Sequence, residues 1–237
     1  MSRRSEVLKE MGIAPTWILR ERGVESPGPV FSGDSSENTG SGNTQTREAR
    51  IAGMDWHELK ATVRDCTACG LRAGCTQTVF GVGDENADWL LVGEAPGQEE
   101  DRLGEPFVGQ AGKLLDNMLA ALGLTRDKNV YIANVLKCRP PGNRNPAPEE
   151  VAKCSPHLLR QVALIQPKII LAMGRFAVQT LLETEATIAS LRGRVHRYAG
   201  VPLIVTYHPA YLLRNLPDKA KAWADLVFAR RTMATLK

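Results

Sequence analysis

From residue 54 onward, short apolar runs alternate with stretches in which apolar residues recur every three or four positions. Runs of the first kind fit buried strands, and those of the second fit amphipathic helices. Residues 89–92 form a short apolar run closed by Gly93, which predicts the first strand. Residues 109–122 carry Ala111, Leu114, Leu115, Met118, Leu119 and Leu122 at helical spacing, with Gly123 placed to cap the C-terminus. Residues 130–135 predict a second strand. Residues 148–164 predict a helix opened by Pro148 and by Glu149 and Glu150, which suit its positive end. A third strand (169–172), a helix (175–182), a fourth strand (202–206) and a closing helix (218–235) complete the series. Such alternation predicts an α/β fold of three layers, α/β/α, around a central, mostly parallel four-stranded sheet.

The first fifty residues follow a different pattern. Residues 5–20 hold Val7, Leu8, Met11, Ile13, Trp17, Ile18 and Leu19, enough for one or two amphipathic helices interrupted at Pro15. Residues 25–50 are rich in Gly, Ser, Asn, Thr and Pro and poor in large apolar side chains, so they read as a disordered linker. The expected organisation is an amphipathic tail (1–23), a linker (24–53) and a domain (54–237). The tail either docks a protein partner or packs on its own domain, and the pattern does not choose between them. Residues 1–23 lack the apolar run of a secretory signal, and no stretch is long enough to cross a bilayer, so no membrane association is expected.

Composition adds little to this picture, and the cysteines add more. At 237 residues and 43% hydrophobic, the chain can bury a substantial core, and its net charge of +4 is compatible with a polyanionic partner. Five cysteines, an odd number, with no secretory signal point to a reducing cytoplasm rather than a disulfide framework. Cys66 and Cys69 form a C-x-x-C in a loop-like stretch, and Cys138 and Cys154 make a second, wider pair. Four thiolates drawn from such distances suit a tetrahedral zinc or a 4Fe–4S cluster, and spacing alone does not separate the two. The alternative is a set of buried free thiols. Cys75 is the odd one out, either a substitute ligand for Cys69 or a spare thiol.

The unusual polar residues fall at one kind of place. GEAPG (93–97) follows the first strand, Asn134 ends the second, Gly174 and Arg175 follow the third, and Tyr207, His208 and Pro209 follow the fourth. These are carboxyl ends of strands, the edge at which open parallel sheets bind ligands. No G-x-G-x-x-G opens a helix after the first strand, and no G-x-x-x-x-G-K-S/T occurs anywhere, which argues against dinucleotide and triphosphate binding. The zinc-deaminase signature is absent as well.

GEAPG-x-x-E-D at 93–101, EPFVG at 105–109, NVLKCRPP at 134–141 and HPAYLLR at 208–214 together resemble the uracil-DNA glycosylases, specifically the family 4 iron–sulfur type of bacteria and archaea. The resemblance covers residues 65–229, with the motifs in the family's order. It implies a uracil-DNA glycosylase-like fold and an enzyme that cuts the N-glycosidic bond of uracil flipped out of single- or double-stranded DNA, for base excision repair. It also implies a 4Fe–4S cluster on Cys66, Cys69, Cys138 and Cys154, leaving Cys75 unassigned. A monomer in the bacterial cytoplasm, associated with the nucleoid, is expected.

The same resemblance distributes roles that residue chemistry supports. Phe107 would stack on the flipped base. Asn134 carries both an acceptor for uracil N3–H and a donor for O4, a pairing cytosine cannot satisfy. His208 would hydrogen-bond O2 as negative charge develops there. Glu94 would border the sugar, orienting water or stabilising its cationic form. Ala95 stands where the family 1 enzymes carry Asp, so no strong general base is expected there. Glu100 would lie near uracil C5 and exclude the thymine methyl. Leu212 or Leu213 would fill the gap left by the extruded base, and Arg139, Arg144, Arg214 and the cluster Arg192, Arg194 and Arg197 are candidate phosphate contacts.

Two competing readings remain. A related type becomes covalently trapped on uracil, but it carries a basic insert with a histidine where this chain reads PGNRNPAP (141–148). The other is a non-catalytic iron–sulfur DNA-binding accessory protein associated with a DNA polymerase.

Overall fold

The structure, a computed structural model, describes residues 46–236; the expected tail (1–23) and most of the expected linker (24–53) lie outside them. The linker expectation fails at its C-terminal end. Arg47–Gly53 is a helix, α1, capped by the Thr46 hydroxyl and anchored by the buried Ile51. It is followed by α2 (Trp56–Arg64), opened by a reciprocal capping box between Asp55 and Glu58, and by the short α3 (Leu71–Gly74).

The sheet has six strands rather than four. Its parallel core is β2 (Trp89–Gly93), β3 (Val130–Asn134), β4 (Ile169–Met173) and β6 (Val201–Thr206), as the apolar runs predict. Two antiparallel edge strands, β1 (Val82–Gly83) and β5 (His196–Tyr198), extend it to the order β1-β3-β2-β4-β6-β5. Both are short, which blunts the exposed edges.

Alternation along β2 shows how the layers form. Leu90 and Val92 point to a core shared with Leu158, Val162 and Ile165 of α6 (Pro148–Ile165) and with Ala177, Val178 and Leu181 of α7 (Arg175–Leu182). Trp89 and Leu91 point to the other face, onto Leu115 and Leu119 of α5 (Gln110–Ala121) and Leu226 and Ala229 of α10 (Lys219–Thr235). A strand covered on both faces must be apolar at every position, which is why β2, β3 and β4 read as continuous runs. Three short helices complete the fold: α4 (Gln98–Leu103), α8 (Ile188–Leu191) and α9 (Pro209–Arg214). No helix among the described residues is long and apolar enough to cross a membrane.

The chain runs from β2 outward to β3 and then returns to the other side of β2 to form β4. The crevice at this reversal, beyond the carboxyl ends of β2 and β4, is where such sheets take ligands.

Candidate active site and cysteine centre

A cavity of about 360 Å³ opens at that crevice. Glu94, Ala95, Glu100, Phe107, Asn134, His208, Arg144 and Arg214 all line it, so the residues expected to handle the base meet there with two of the expected phosphate contacts. Two glycines make the convergence sterically feasible. A side chain on Gly93 would meet Asn134 Oδ1 at 2.5 Å and Phe107 Cζ at 2.6 Å, and one on Gly174, whose φ is +90°, would meet His208 Cβ at 2.8 Å.

Asn134 ends β3 and is 2% exposed. Its Oδ1 is buried without a hydrogen-bond partner, an arrangement that costs free energy until a donor arrives.

His208 caps α9, with its Nδ1 accepting the N–H of Ala210 at 3.1 Å. A backbone amide can only donate, so Nδ1 carries no proton and the ring is the neutral tautomer with its hydrogen on Nε2. Burial agrees, holding the His208 pKa down at about 4. The ring therefore enters the cavity wall as a neutral N–H donor.

Glu94 follows β2. Burial raises its pKa to about 7 against the opposing pull of the Arg175 guanidinium, so this carboxyl changes charge near neutrality.

Phe107 sits in the left-handed region, with φ of 55°, where a bulky side chain is strained. Two residues hold it there. Glu100 Oε1 accepts the N–H groups of Val108 (3.0 Å) and Gly109 (3.1 Å), while its Oε2 accepts from Gly97 (3.1 Å). Arg126, ion-paired with Asp116, donates to the carbonyls of Pro106 (2.9 Å) and Phe107. Glu100 thus ties the GEAPG turn to the Phe107 loop. Arg126 escaped the sequence reading because its partners lie up to twenty positions away and nothing local marks it.

Leu212 and Arg192 need correction as expected DNA contacts. Leu212 is 1% exposed and packed inside, so it cannot fill a gap in the DNA; Leu213, 41% exposed, is the leucine of this pair that faces outward. Arg192 is committed to the buried Asp225 (2.9 Å) and to the Lys221 carbonyl, and it does not line the cavity. Arg194 donates to the Ser190 carbonyl and Arg197 to the Gly200 carbonyl (2.8 Å), also away from the cavity lining. Arg139 bonds Asn143 Oδ1 at 2.7 Å, orienting the loop that carries Pro140 and Asn143 into the cavity wall. Arg144 reaches the wall while held by Glu150 at 2.5 and 2.9 Å.

A second, smaller cavity is lined by Cys66, Cys69, Cys138 and Cys154 together, while Cys75 lies outside its lining. Among the described residues no three His, Cys, Asp or Glu side chains converge tightly enough to grip a single ion. Burial and the neighbouring Cys75, Cys154 and Cys69 push the Cys138 thiol up, as expected of thiols that ionise only against a cation. Cationic and N–H donors already face the sulfurs: Arg47 of α1 reaches Cys66 Sγ at 3.8 Å, and the Lys137 N–H reaches Cys154 Sγ at 3.3 Å. This donor set fits an anionic iron–sulfur group. Arg47 also bonds His157 Nε2 (2.9 Å) and the Lys153 carbonyl (2.9 Å), fastening α1 to α6.

The three-layer α/β fold carries its cavity at the sheet reversal, and comparison with known proteins gives the family. Residues 80–227 match the family described as the uracil DNA glycosylase superfamily, and the chain belongs to that family. It is 50% identical over 164 residues to the Type-4 uracil-DNA glycosylase of Archaeoglobus fulgidus, an alignment spanning 66% of this chain and 82% of that protein. It is 45% identical to the Type-4 uracil-DNA glycosylase of Thermotoga maritima, over 67% of this chain and 83% of the relative. A Type-5 uracil-DNA glycosylase of Pyrobaculum aerophilum is more distant, at 36% identity over 56% of this chain and 66% of the relative.

Proposed function

We propose that this protein is a monofunctional uracil-DNA glycosylase of the type-4 kind, releasing uracil from DNA and leaving an abasic site for base excision repair. The observation that carries the reading is the unpaired, buried Oδ1 of Asn134 in the same cavity as a neutral His208 donor. Uracil answers both, with N3–H for Asn134 and O2 for His208. Cytosine, with a lone pair at N3 and an amino group at C4, would leave the Asn134 acceptor unpaired, and a buried unpaired group penalises the wrong base. Thymine offers the same N3–H and O2 as uracil, and its methyl would be excluded by contact with Glu100 in the cavity wall.

In this reading the base leaves the stack and lies against Phe107. The bond between N1 and the sugar C1′ breaks with its electron pair going to uracil. The charge gathers on O2, where the preorganised His208 Nε2–H stabilises it most strongly in the transition state. Water then adds to C1′ and gives up a proton, which the released uracil anion takes up, as the abasic sugar forms. Glu94, when ionised, faces the cationic sugar and orients that water. Glu100 and Arg126 keep the Phe107 loop in place, and Leu213, Arg214 and Arg144 meet the DNA.

Cys66, Cys69, Cys138 and Cys154 would hold a 4Fe–4S cluster, which when bound supplies a cross-link between the loop after α2 and α6. The protein would act as a monomer in the cytoplasm near the nucleoid, and residues 1–23 would serve as a docking segment for a protein partner. The test of function is incubation of purified protein with end-labelled oligonucleotides carrying one uracil, single- and double-stranded, followed by alkaline cleavage. Strand breaks at uracil and none at thymine or cytosine are expected. Intact strands that nevertheless bind the protein would favour the non-catalytic accessory reading.

A further inference from the structure

Lys137 stands between the two centres, and the chemistry above leaves it unused. It comes three residues after Asn134 and one before Cys138, and it is 2% exposed. Burying an ammonium costs several kcal/mol unless hydrogen bonds and opposite charge offset it. Its Nζ donates to the main-chain carbonyl of Asn134 at 2.9 Å and to Gln161 Oε1 at 2.6 Å. Gln161, itself fully buried, is fixed in turn by donating to the Phe80 carbonyl at 3.0 Å. The hydrogen bonds are therefore rigid at both ends.

The opposite charge is supplied by sulfur. Among the described residues no carboxylate forms an ion pair with Lys137. Lys137 does line the cavity of Cys66, Cys69, Cys138 and Cys154. Four thiolates outweigh the positive charge of an iron–sulfur core, so that cavity is anionic when filled.

We infer that Lys137 is a positioning residue serving both centres: its ammonium is the counter-charge of the cysteine-held group, and its bond to the Asn134 carbonyl fixes the end of β3 where the base-reading amide is needed. The first half concerns the cysteine centre, and the second rests on the uracil-excision reading. The arrangement gives the cysteine centre a mechanical link to base recognition that requires no electron transfer. Two connections run from Lys137, one through its main chain to Cys154 and one through its side chain to Asn134.

Two substitutions in the full-length, anaerobically purified protein separate the halves. Lys137→Gln keeps a donor for the Asn134 carbonyl and removes the charge, whereas Lys137→Met removes both. Both variants should shift the midpoint potential of the bound iron–sulfur group to more negative values, because a nearby cation favours the added electron. Single-turnover uracil excision should fall roughly tenfold or more in Lys137→Met, the scale of a lost hydrogen bond to a charged donor, and recover in large part in Lys137→Gln. An unchanged potential in both variants overturns the counter-charge half. Wild-type excision by Lys137→Met, or equal losses in the two variants, overturns the positioning half. Should Lys137→Met fail to fold, Lys137→Gln decides the counter-charge half through its potential, and its melting temperature and excision rate decide the other. Loss of excision in that variant despite a wild-type melting temperature would overturn positioning by the donor. A wild-type protein that releases no uracil would defeat the functional reading and leave the potential measurement standing.

Discussion

The imidazole of His208 lies over the ring of Phe107, with centroids 5.3 Å apart and planes 28° from parallel. The stabiliser of the leaving group and the platform for the base therefore share one wall, and Glu100 and Arg126 hold that wall in shape. Removing either ring releases the other. His208→Ala should slow single-turnover excision by roughly 10²–10³-fold, the loss expected for one preorganised donor. Phe107→Ala should cost roughly 10–100-fold, from a stacking contact of about 1–3 kcal/mol. The double variant should lose clearly less than the product of the two, which a double-mutant cycle on excision rates measures. Fully multiplicative losses would mean that the rings act independently.

Glu94 predicts a pH dependence. Burial raises its pKa from the ordinary carboxylate range to about 7, so the group is protonated below that value and ionised above it. If the anion faces the cationic sugar, excision should rise with pH through about 7 and level off above. Glu94→Gln should lower the plateau and abolish the rise. Neutral His208, held near pKa 4, contributes no inflection between pH 5 and 8. The check is the single-turnover rate across that range; an unaltered profile in Glu94→Gln would assign the rise to another group.

Much of the fold is legible in the sequence because its central strands are buried on both faces. Residues 89–93, 130–134 and 169–173 have no polar alternative to offer until Asn134. The edge strands were not legible: Val82–Gly83 is two residues long, and His196–Tyr198 reads as polar sequence. α1 was hidden for a related reason, since REARIAG holds a single large apolar residue, Ile51, and looks like the linker before it. At the site, strand-end motifs revealed the cavity residues, whereas Arg126 acts through the carbonyls of Pro106 and Phe107 and Lys137 is held by Gln161, partners that only the folded chain brings near. The arginines at 192, 194 and 197 resemble a phosphate site until Asp225, far along the chain, is seen to neutralise the first. Leu212 and Leu213 could be told apart only by the phase of α9 against its neighbours.

The cysteine centre predicts colour and composition. Protein purified without oxygen should be yellow-brown and carry about four irons per chain. Cys138→Ala should lose the iron and much of the folded protein, because ligand binding is coupled to folding. Cys75→Ala, outside the cavity lining, should keep the iron. Iron analysis beside thermal melting checks all three, and stoichiometric zinc under iron-replete conditions would contradict the assignment.

The revised domain boundary is testable by truncation. Removing residues 1–45 should leave excision of short oligonucleotides and the melting temperature unchanged. Removing residues 1–53 deletes α1, with the buried Ile51 and with Arg47, which reaches Cys66 and His157. Loss of one buried Ile alone is worth roughly 1.5–3 kcal/mol, so the shorter protein should melt several degrees lower and lose iron faster in air. Equal stability of the two truncations would return the boundary to residue 54.

The central claim is that Asn134 reads the base, and substituting one atom group tests it most directly. Asn134→Asp keeps an acceptor for uracil N3–H but, when ionised, cannot donate to O4. Free base released from matched oligonucleotides holding uracil, cytosine or thymine should be quantified for wild type and variant in single turnover. The wild type should release uracil alone, and the variant should lose most of that activity, with any residual shift directed toward cytosine through its protonated form. Wild-type uracil release by Asn134→Asp would remove Asn134 from base recognition and contradict the account.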